Sequence, residues 1–331
     1  MARGDGRPAT VEHGPNACRG WEPPDETEYR NIRAWGFNMV RVAFSWANLE
    51  PEPPTAGKPG PLAHRYNTSY VKGLDVVVGR FTGDGIAVVI EMGQSHWSPA
   101  FRDVSTQKGI KCRGVGMPSW LYPSAAHQTI TQAKLDFFAD RNGVQQGFLD
   151  AWRFIAHRYA SNPMVVGFDM MNEPYTDGEF PPSELHLDSL YRRIGTSIRS
   201  VNPHALLVFQ DVLPRQGGGF GLNTPPPFPN VVYEFHLYTR NWGAGRQLTE
   251  SLLERATKWN LPLWIGEFDA FGYASPTGAT GDWAKEMSGM MAYCKENRIG
   301  WTEFAYADRW ILVPGTQRPK PGLLSALAEG L

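Results

Sequence analysis

A chain of 331 residues, 42% hydrophobic and 20% charged, has the composition of a globular protein with room for a large core. Its formal net charge of −1 gives no electrostatic reason to bind nucleic acid or an anionic membrane. No apolar run approaches the length that crosses a bilayer, which argues against stable membrane insertion.

The segment Met1–Gly14 is polar and Gly-rich and carries no apolar stretch of the kind a signal peptide needs. The chain as written therefore reads as cytoplasmic, or as secreted if a leader has been removed. Residues 1–25 are expected to be irregular, with Thr10–Asn16 a poor candidate for a first strand, and residues 26–331 to form a single domain.

Glu26–Trp35 reads as a short helix stopped by Gly36, followed by the strand Asn38–Phe44 with Arg41 inside it. A Pro-rich loop over 51–61 leads to a helix marked by Val71, Leu74, Val77, Val78 and Phe81, and Gly83 and Gly85 end it before the strand Ile86–Glu91. Met92 to about Ile130 is a long segment with little periodicity. Its length suggests function, and Trp97, Trp120 and Tyr122 argue against disorder.

Val144, Phe148, Trp152, Ile155 and Tyr159 line a helix before the stretch Val165–Pro174, a buried strand ending in Asn172-Glu173-Pro174. The alternation continues with a helix (Leu187–Val201), a strand (Ala205–Phe209), a Gly/Pro-rich loop (214–229), a strand (Val231–Tyr238) and a helix (Leu248–Trp259). A strand (Pro262–Glu267), a helix (Trp283–Cys294), a strand (Ile299–Phe304) and a closing helix (Leu323–Ala328) follow.

Strands alternating with helices in this way are parallel strands covered by helices. Chain length, and polar residues at the ends of many strands, favour a (β/α)₈ barrel with a weak first strand over an open doubly wound sheet. No GxGxxG or P-loop opens a helix, and the eight histidines are scattered, so neither a cofactor nor a metal is expected. Cys294 reads as a buried free thiol, while Cys18 and Cys112 lie in irregular segments and could pair.

In a parallel barrel the C-terminal strand ends converge on one face. Here they are Arg41, Glu91, Asn172, Glu173, His236, Tyr238, Glu267 and Glu303. Glu173 and Glu267 would face each other across an aromatic-rich mouth, an arrangement suited to glycoside hydrolysis, where one carboxyl must be protonated and the other ionised. Arg41 and Tyr238 could hold one carboxylate ionised, and His236 could tune the other.

Met171-Asn172-Glu173-Pro174, Phe235-His236-Leu237-Tyr238, Ile265-Gly266-Glu267-Phe268 and Gly36-Phe37-Asn38-Met39-Val40-Arg41 resemble signatures of glycoside hydrolase family 5. The resemblance runs from about Tyr29 to Trp310. It implies a retaining β-glycosidase with Glu173 as acid/base and Glu267 as nucleophile, their carboxyl groups about 5–5.5 Å apart. It also implies that Asn172 bonds the sugar 2-hydroxyl, that Arg41 and Tyr238 support Glu267, and that His236 sits beside Glu173.

Two positions depart from the pattern. Where the family usually has a third-strand histidine, this chain has Glu91, with His96 three residues beyond the Met92-Gly93 that follows it. The last-strand tryptophan that often serves as a sugar platform corresponds to Trp301, Glu303 or Phe304, depending on register.

The loop pieces Gln94-Ser95-His96-Trp97-Ser98 and Gly114–Trp120 are similar to the third-strand loop of endoglycoceramidases. A glucan-type or glycolipid substrate is therefore expected, bound by a monomer through Arg41, Asn172, His236, Tyr238, Glu91, His96, Trp97, Trp120 and Trp301. The alternative reading is a non-catalytic carbohydrate- or glycolipid-binding barrel.

Overall fold

In a computed structural model, the described residues are 24–58, 63–94, 97–101, 105–107, 110–112, 116–123, 128–175, 178–212, 220–239, 241–268, 283–306, 311–313 and 315–330. Thr10–Asn16, His96, Cys18 and the side chain of Cys112 lie outside them.

Helix α1 (Glu26–Ala34) begins where the Asp25 carboxylate accepts from the backbone of Thr27 and Glu28, satisfying two of the N–H groups that a helix start leaves open. It feeds β1 (Met39–Phe44), after which come the single turn α2 (Trp46–Leu49) and α3 (Thr68–Gly83), capped by Asn67. Next are β2 (Ala87–Met92) and the antiparallel hairpin β3 (Ser105–Gln107) and β4 (Ile110–Cys112). Then follow α4 (Ile130–Phe138), α5 (Gln145–Arg158), β5 (Val165–Asp169), α6 (Leu187–Arg199), β6 (Leu206–Gln210) and β7 (Val231–Leu237). The chain continues with α7 (Trp242–Trp259), β8 (Leu263–Phe268), α8 (Trp283–Glu296), β9 (Gly300–Trp301) and α9 (Leu323–Ala328).

Seven strands form one parallel sheet in the order β1-β2-β5-β6-β7-β8-β9, each strand beside the next in sequence, as the (β/α)₈ architecture requires. The two edges approach one another. Trp35, at the end of α1, stacks on Tyr306 beyond β9 at 5.4 Å, and Asn31 Nδ2 donates to the Tyr306 hydroxyl at 2.7 Å. The outer faces of the strands and the inner faces of the helices share one large apolar core. A small separate cluster, Val89, Val208 and Trp264 with Met39, Val166 and Val232, packs within the sheet, and Met39, Val89, Val208 and Val232 stand two residues before Arg41, Glu91, Gln210 and Glu234. That spacing follows from the twofold period of a strand, which puts alternate residues on one face.

Four local features differ from the sequence reading. The strand expected over Val165–Pro174 leaves the sheet after Asp169, and β9 is laddered only over Gly300–Trp301, although the Thr302 and Phe304 amides still donate to Ile265 and Phe268 carbonyls. The long segment after β2 contains the β3–β4 hairpin and a 3₁₀ turn at Ser119–Leu121. Helix α4 was not picked out by the sequence reading, and Asp140 and Asn142, both left-handed, separate it from α5. Cys294 is buried and unpaired, as read.

Candidate active site

Arg41 on β1 is wholly buried and organises the site. Its Nε and Nη2 meet Asp169 Oδ2 at 2.9 and 2.5 Å, and Nη2 also donates to Asn172 Oδ1 at 2.8 Å. Nη1 donates to Glu267 Oε1 at 2.6 Å and pairs with Glu91 Oε2, while Glu234 Oε1 lies 3.6 Å from Nε. Burial disfavours the guanidinium charge, but four surrounding carboxyl groups outweigh that and keep it charged.

One arginine cannot neutralise so many buried carboxylates, so several must hold protons. Burial, with the charges of Glu267 and Glu234, pushes Glu91 up to about 8 against the pull of Arg41 and His236. Burial and Glu234 likewise raise Asp169 well above the usual carboxylate range. Burial would also raise Glu234, but Arg41, His236 and a hydrogen bond from Asp169 hold it below that range. The two directions favour a proton on Asp169 over one on Glu234.

Glu173 lies beyond β5 in the left-handed backbone region (φ 41°), a conformation that costs a non-glycine residue on the order of 1–3 kcal/mol and persists where neighbours impose it. Its N–H donates to Gln210 Oε1 on β6 at 2.9 Å, and its Oε1 meets His236 Nδ1 on β7 at 2.7 Å and the Tyr175 hydroxyl at 3.3 Å. Glu267 on β8 receives Arg41 on Oε1, and the Tyr238 hydroxyl on Oε2 at 2.7 Å, with His236 Nδ1 3.4 Å from Oε2.

An oxygen of Glu173 and one of Glu267 lie within 4.8 Å of each other. Burial raises both carboxyl groups. The His236 hydrogen bond and charge bring Glu173 below its ordinary value, while Glu267, beside the Glu173 charge, stays above its own despite His236, Arg41 and Tyr238. Burial opposes a charge on His236, but the carboxylates of Glu267, Glu173 and Glu234 outweigh it and raise the ring well above its ordinary value.

The structure thus brings together Arg41, Glu91, Asn172, Glu173, His236, Tyr238 and Glu267. It adds Asp169, Glu234 and Gln210, which the sequence reading did not select. The available signal was a charge inside an apolar strand for Asp169 and Glu234, and a strand one residue longer than expected for Gln210.

The aromatics divide. Trp97 is buried, donates from Nε1 to the Tyr122 hydroxyl at 2.8 Å, and borders a cleft of about 310 Å³ shared with Gln94, Lys134, Phe138, Asn172 and Glu173. Trp120 donates to the Glu50 carbonyl and packs edge-on to Trp46. It borders a separate cavity of about 950 Å³, whose described lining includes neither Glu173 nor Glu267. Trp301 sits in a third cleft with Gly36, Phe37 and Asn38, at the N-terminal ends of β1 and β9. Of the three last-strand positions, Phe304 packs edge-on against Tyr238 at 6.2 Å, and Glu303 is buried.

Glu173, His236 and Glu267 are close enough to share a cation. Glu173 already bonds His236, and Arg41 holds one oxygen of Glu267 and Tyr238 the other. The arrangement suits proton transfer between two unlike carboxyl groups.

Residues 4–309 match the model of the cellulase family, glycosyl hydrolase family 5. The chain belongs to that family. This family 5 chain is 26% identical over 160 residues to endoglucanase H of Acetivibrio thermocellus (42% of this chain, 17% of the relative). It is 21% identical over 300 residues to a β-xylosidase of Phanerodontia chrysosporium (84% and 55%) and 19% identical over 232 residues to an endoglycoceramidase of Hydra vulgaris (56% and 41%). It therefore spans about half or less of the length of these curated relatives.

Among solved structures, endo-glycoceramidase II from Rhodococcus sp. as its lactosyl-enzyme intermediate superposes with a TM-score of 0.72 at 21% identity, covering 99% of this chain and 80% of the other. Thermotoga maritima Cel5A with cellobiose gives 0.67 at 17% identity, covering 99% and 96%. These likenesses show the fold, and the family model shows membership of glycosyl hydrolase family 5.

Proposed function

We propose that the protein is a retaining β-glycosidase in which Glu173 is the acid/base and Glu267 the nucleophile. The observation that carries this is the spacing of the two carboxyl groups, within 4.8 Å at their facing oxygens. Retaining enzymes hold the pair about 5–5.5 Å apart, whereas inverting ones leave about 6.5–9.5 Å for a water.

In the first step the glycosidic oxygen takes the Glu173 proton as its bond to the anomeric carbon breaks, and a Glu267 oxygen bonds that carbon. In the second, Glu173 takes a proton from water, the water oxygen bonds the anomeric carbon, and the ester to Glu267 breaks. Arg41 and Tyr238 stabilise the Glu267 carboxylate whenever it is free. Asn172, oriented by Arg41, is the group placed to meet the sugar 2-hydroxyl. Phe304, the last-strand aromatic in contact with Tyr238, is the candidate sugar platform.

The substrate class is a β-linked glucan or a glycolipid. The similarity of the loop after β2 to endoglycoceramidases supports the glycolipid, and endoglucanases among the relatives support the glucan. Release of ceramide from a fluorescent lactosylceramide, set against cleavage of cello-oligomers, separates the two.

The mechanism is tested with Glu267→Gly, azide and an activated β-glycoside. Rescue with formation of the α-glycosyl azide is expected, because azide in the space left by Glu267 attacks the anomeric carbon opposite the β-linked leaving group. No rescue, or a β-azide, removes Glu267 as nucleophile.

A further inference from the structure

Three hydrogen bonds close a ring around Glu173. Its backbone N–H donates to Gln210 Oε1 at 2.9 Å, Gln210 Nε2 lies 2.7 Å from His236 Nε2, and His236 Nδ1 lies 2.7 Å from Glu173 Oε1. One bond of the ring has only one possible sense. A backbone N–H can only donate, so the Gln210 atom facing it must be the oxygen. Turning the amide over would set two donors against each other. The Gln210 NH₂ must then point at His236 Nε2, and an NH₂ needs an acceptor there. An imidazole nitrogen accepts only when it carries no proton.

We infer that Gln210 is a positioning residue that fixes His236 as the neutral tautomer protonated on Nδ1, so that His236 donates to Glu173 without carrying a second proton. This rests on Glu173 being the acid/base. Gln210 is itself held firmly. It is 2% exposed, and the Tyr191 hydroxyl donates to its backbone carbonyl at 2.7 Å.

The ring addresses a conflict in the site. The charged and titratable groups facing His236 are Glu173 beyond β5, Glu234 on its own strand, Glu267 on β8, Tyr238 at 6.4 Å, and Arg41 and Glu91 behind them. By charge alone the carboxylates outweigh the burial of the ring and favour an imidazolium, which is the state the Gln210 amide opposes. An imidazolium 2.7 Å from Glu173 would keep that carboxylate ionised, and an ionised Glu173 cannot protonate a leaving group. A second proton on Nε2 would have as its acceptor Glu234 Oε1, at 3.5 Å, and would collide with the Gln210 NH₂. The amide thus leaves Glu173 free to rise in pKa when a substrate covers it. The same amide also holds the N–H of the left-handed Glu173 backbone in place.

The test is the state of the His236 ring nitrogens in protein labelled with ¹⁵N-histidine, read from long-range ¹H–¹⁵N spectra at neutral pH and assigned by loss of the signal in His236→Asn. The wild type is expected to show a protonated Nδ1 and an unprotonated Nε2. In the near-isosteric Gln210→Glu, whose carboxylate can only accept, both nitrogens become protonated. A wild-type ring protonated on both nitrogens, or on Nε2 alone, overturns the inference, as does a Gln210→Glu ring identical to the wild type.

In kinetics, Gln210→Glu moves the basic limb of kcat/KM for a poor leaving group down by about one pH unit or more, the size of shift that a neighbouring charge produces. A uniform loss at every pH, with the limb unmoved, would mean a merely structural role. If azide rescues Glu267→Gly while the wild-type ring is doubly protonated, only this inference falls. If the rescue fails, the reaction reading falls and the spectra still report the tautomer.

Discussion

Glu91 and Glu267 meet the same nitrogen of Arg41, so the charge of one weakens the hold of the other. With its carboxyl pushed up to about 8 by burial and neighbouring charge, Glu91 is neutral at neutral pH and leaves Arg41 to Glu267. A raised folded-state pKa favours folding most below the ordinary value near 4.5, and that advantage disappears as pH rises through about 8. Wild-type stability should therefore fall across that window by a few kcal/mol through this group. Glu91→Gln, which stays neutral throughout, should lose correspondingly less. Urea unfolding at the two ends of the window checks this, and parallel pH dependences in the two proteins would contradict it. Glu91 thus serves the cluster at neutral pH as an uncharged group.

Strand β8 shows how an element makes room for such a cluster. Gly266 precedes Glu267, and a Cβ added there would lie 1.4 Å from Glu234 Oε1 and 2.8 Å from its Cγ. The missing side chain is what lets the Glu234 carboxylate lie near Arg41. Gly266→Ala should cost about 1–3 kcal/mol by overpacking and displace Glu234, and an unchanged urea midpoint would contradict this.

The strands themselves were legible because short apolar runs punctuated by Gly and Pro carry them, and the helices because their apolar residues recur on one face. What was not legible follows from the same physics. Asp169 and Glu234 look like interruptions of apolar strands, since sequence does not show that both turn onto Arg41. Gln210 was missed because its role depends on the left-handed backbone of a residue on another strand. The segment after β2 has little periodicity, so the β3–β4 hairpin left no pattern to read.

At the scale of the molecule, a curled parallel sheet brings the ends of β1, β2, β5, β6, β7 and β8 to one place, and chemistry is therefore spread over residues far apart in sequence. Glu173 and Glu267 could be paired from sequence because each ends its strand and the architecture makes the ends converge. The sugar they act on could not, because recognition lies in loops that vary independently of the sheet. Trp120 and Trp301 illustrate this: both suggest sugar platforms as sequence, yet one faces a separate cavity and the other the opposite end of the strands. The central claim is retention by a pair of glutamates, and it is tested most directly by the anomeric form of the first product. The best-cleaved β-glycoside from a panel of aryl glycosides, oligosaccharides and glycolipids is hydrolysed in an NMR tube and followed before mutarotation. The β-anomer should appear first and the α-anomer only later; initial release of the α-anomer would contradict the account.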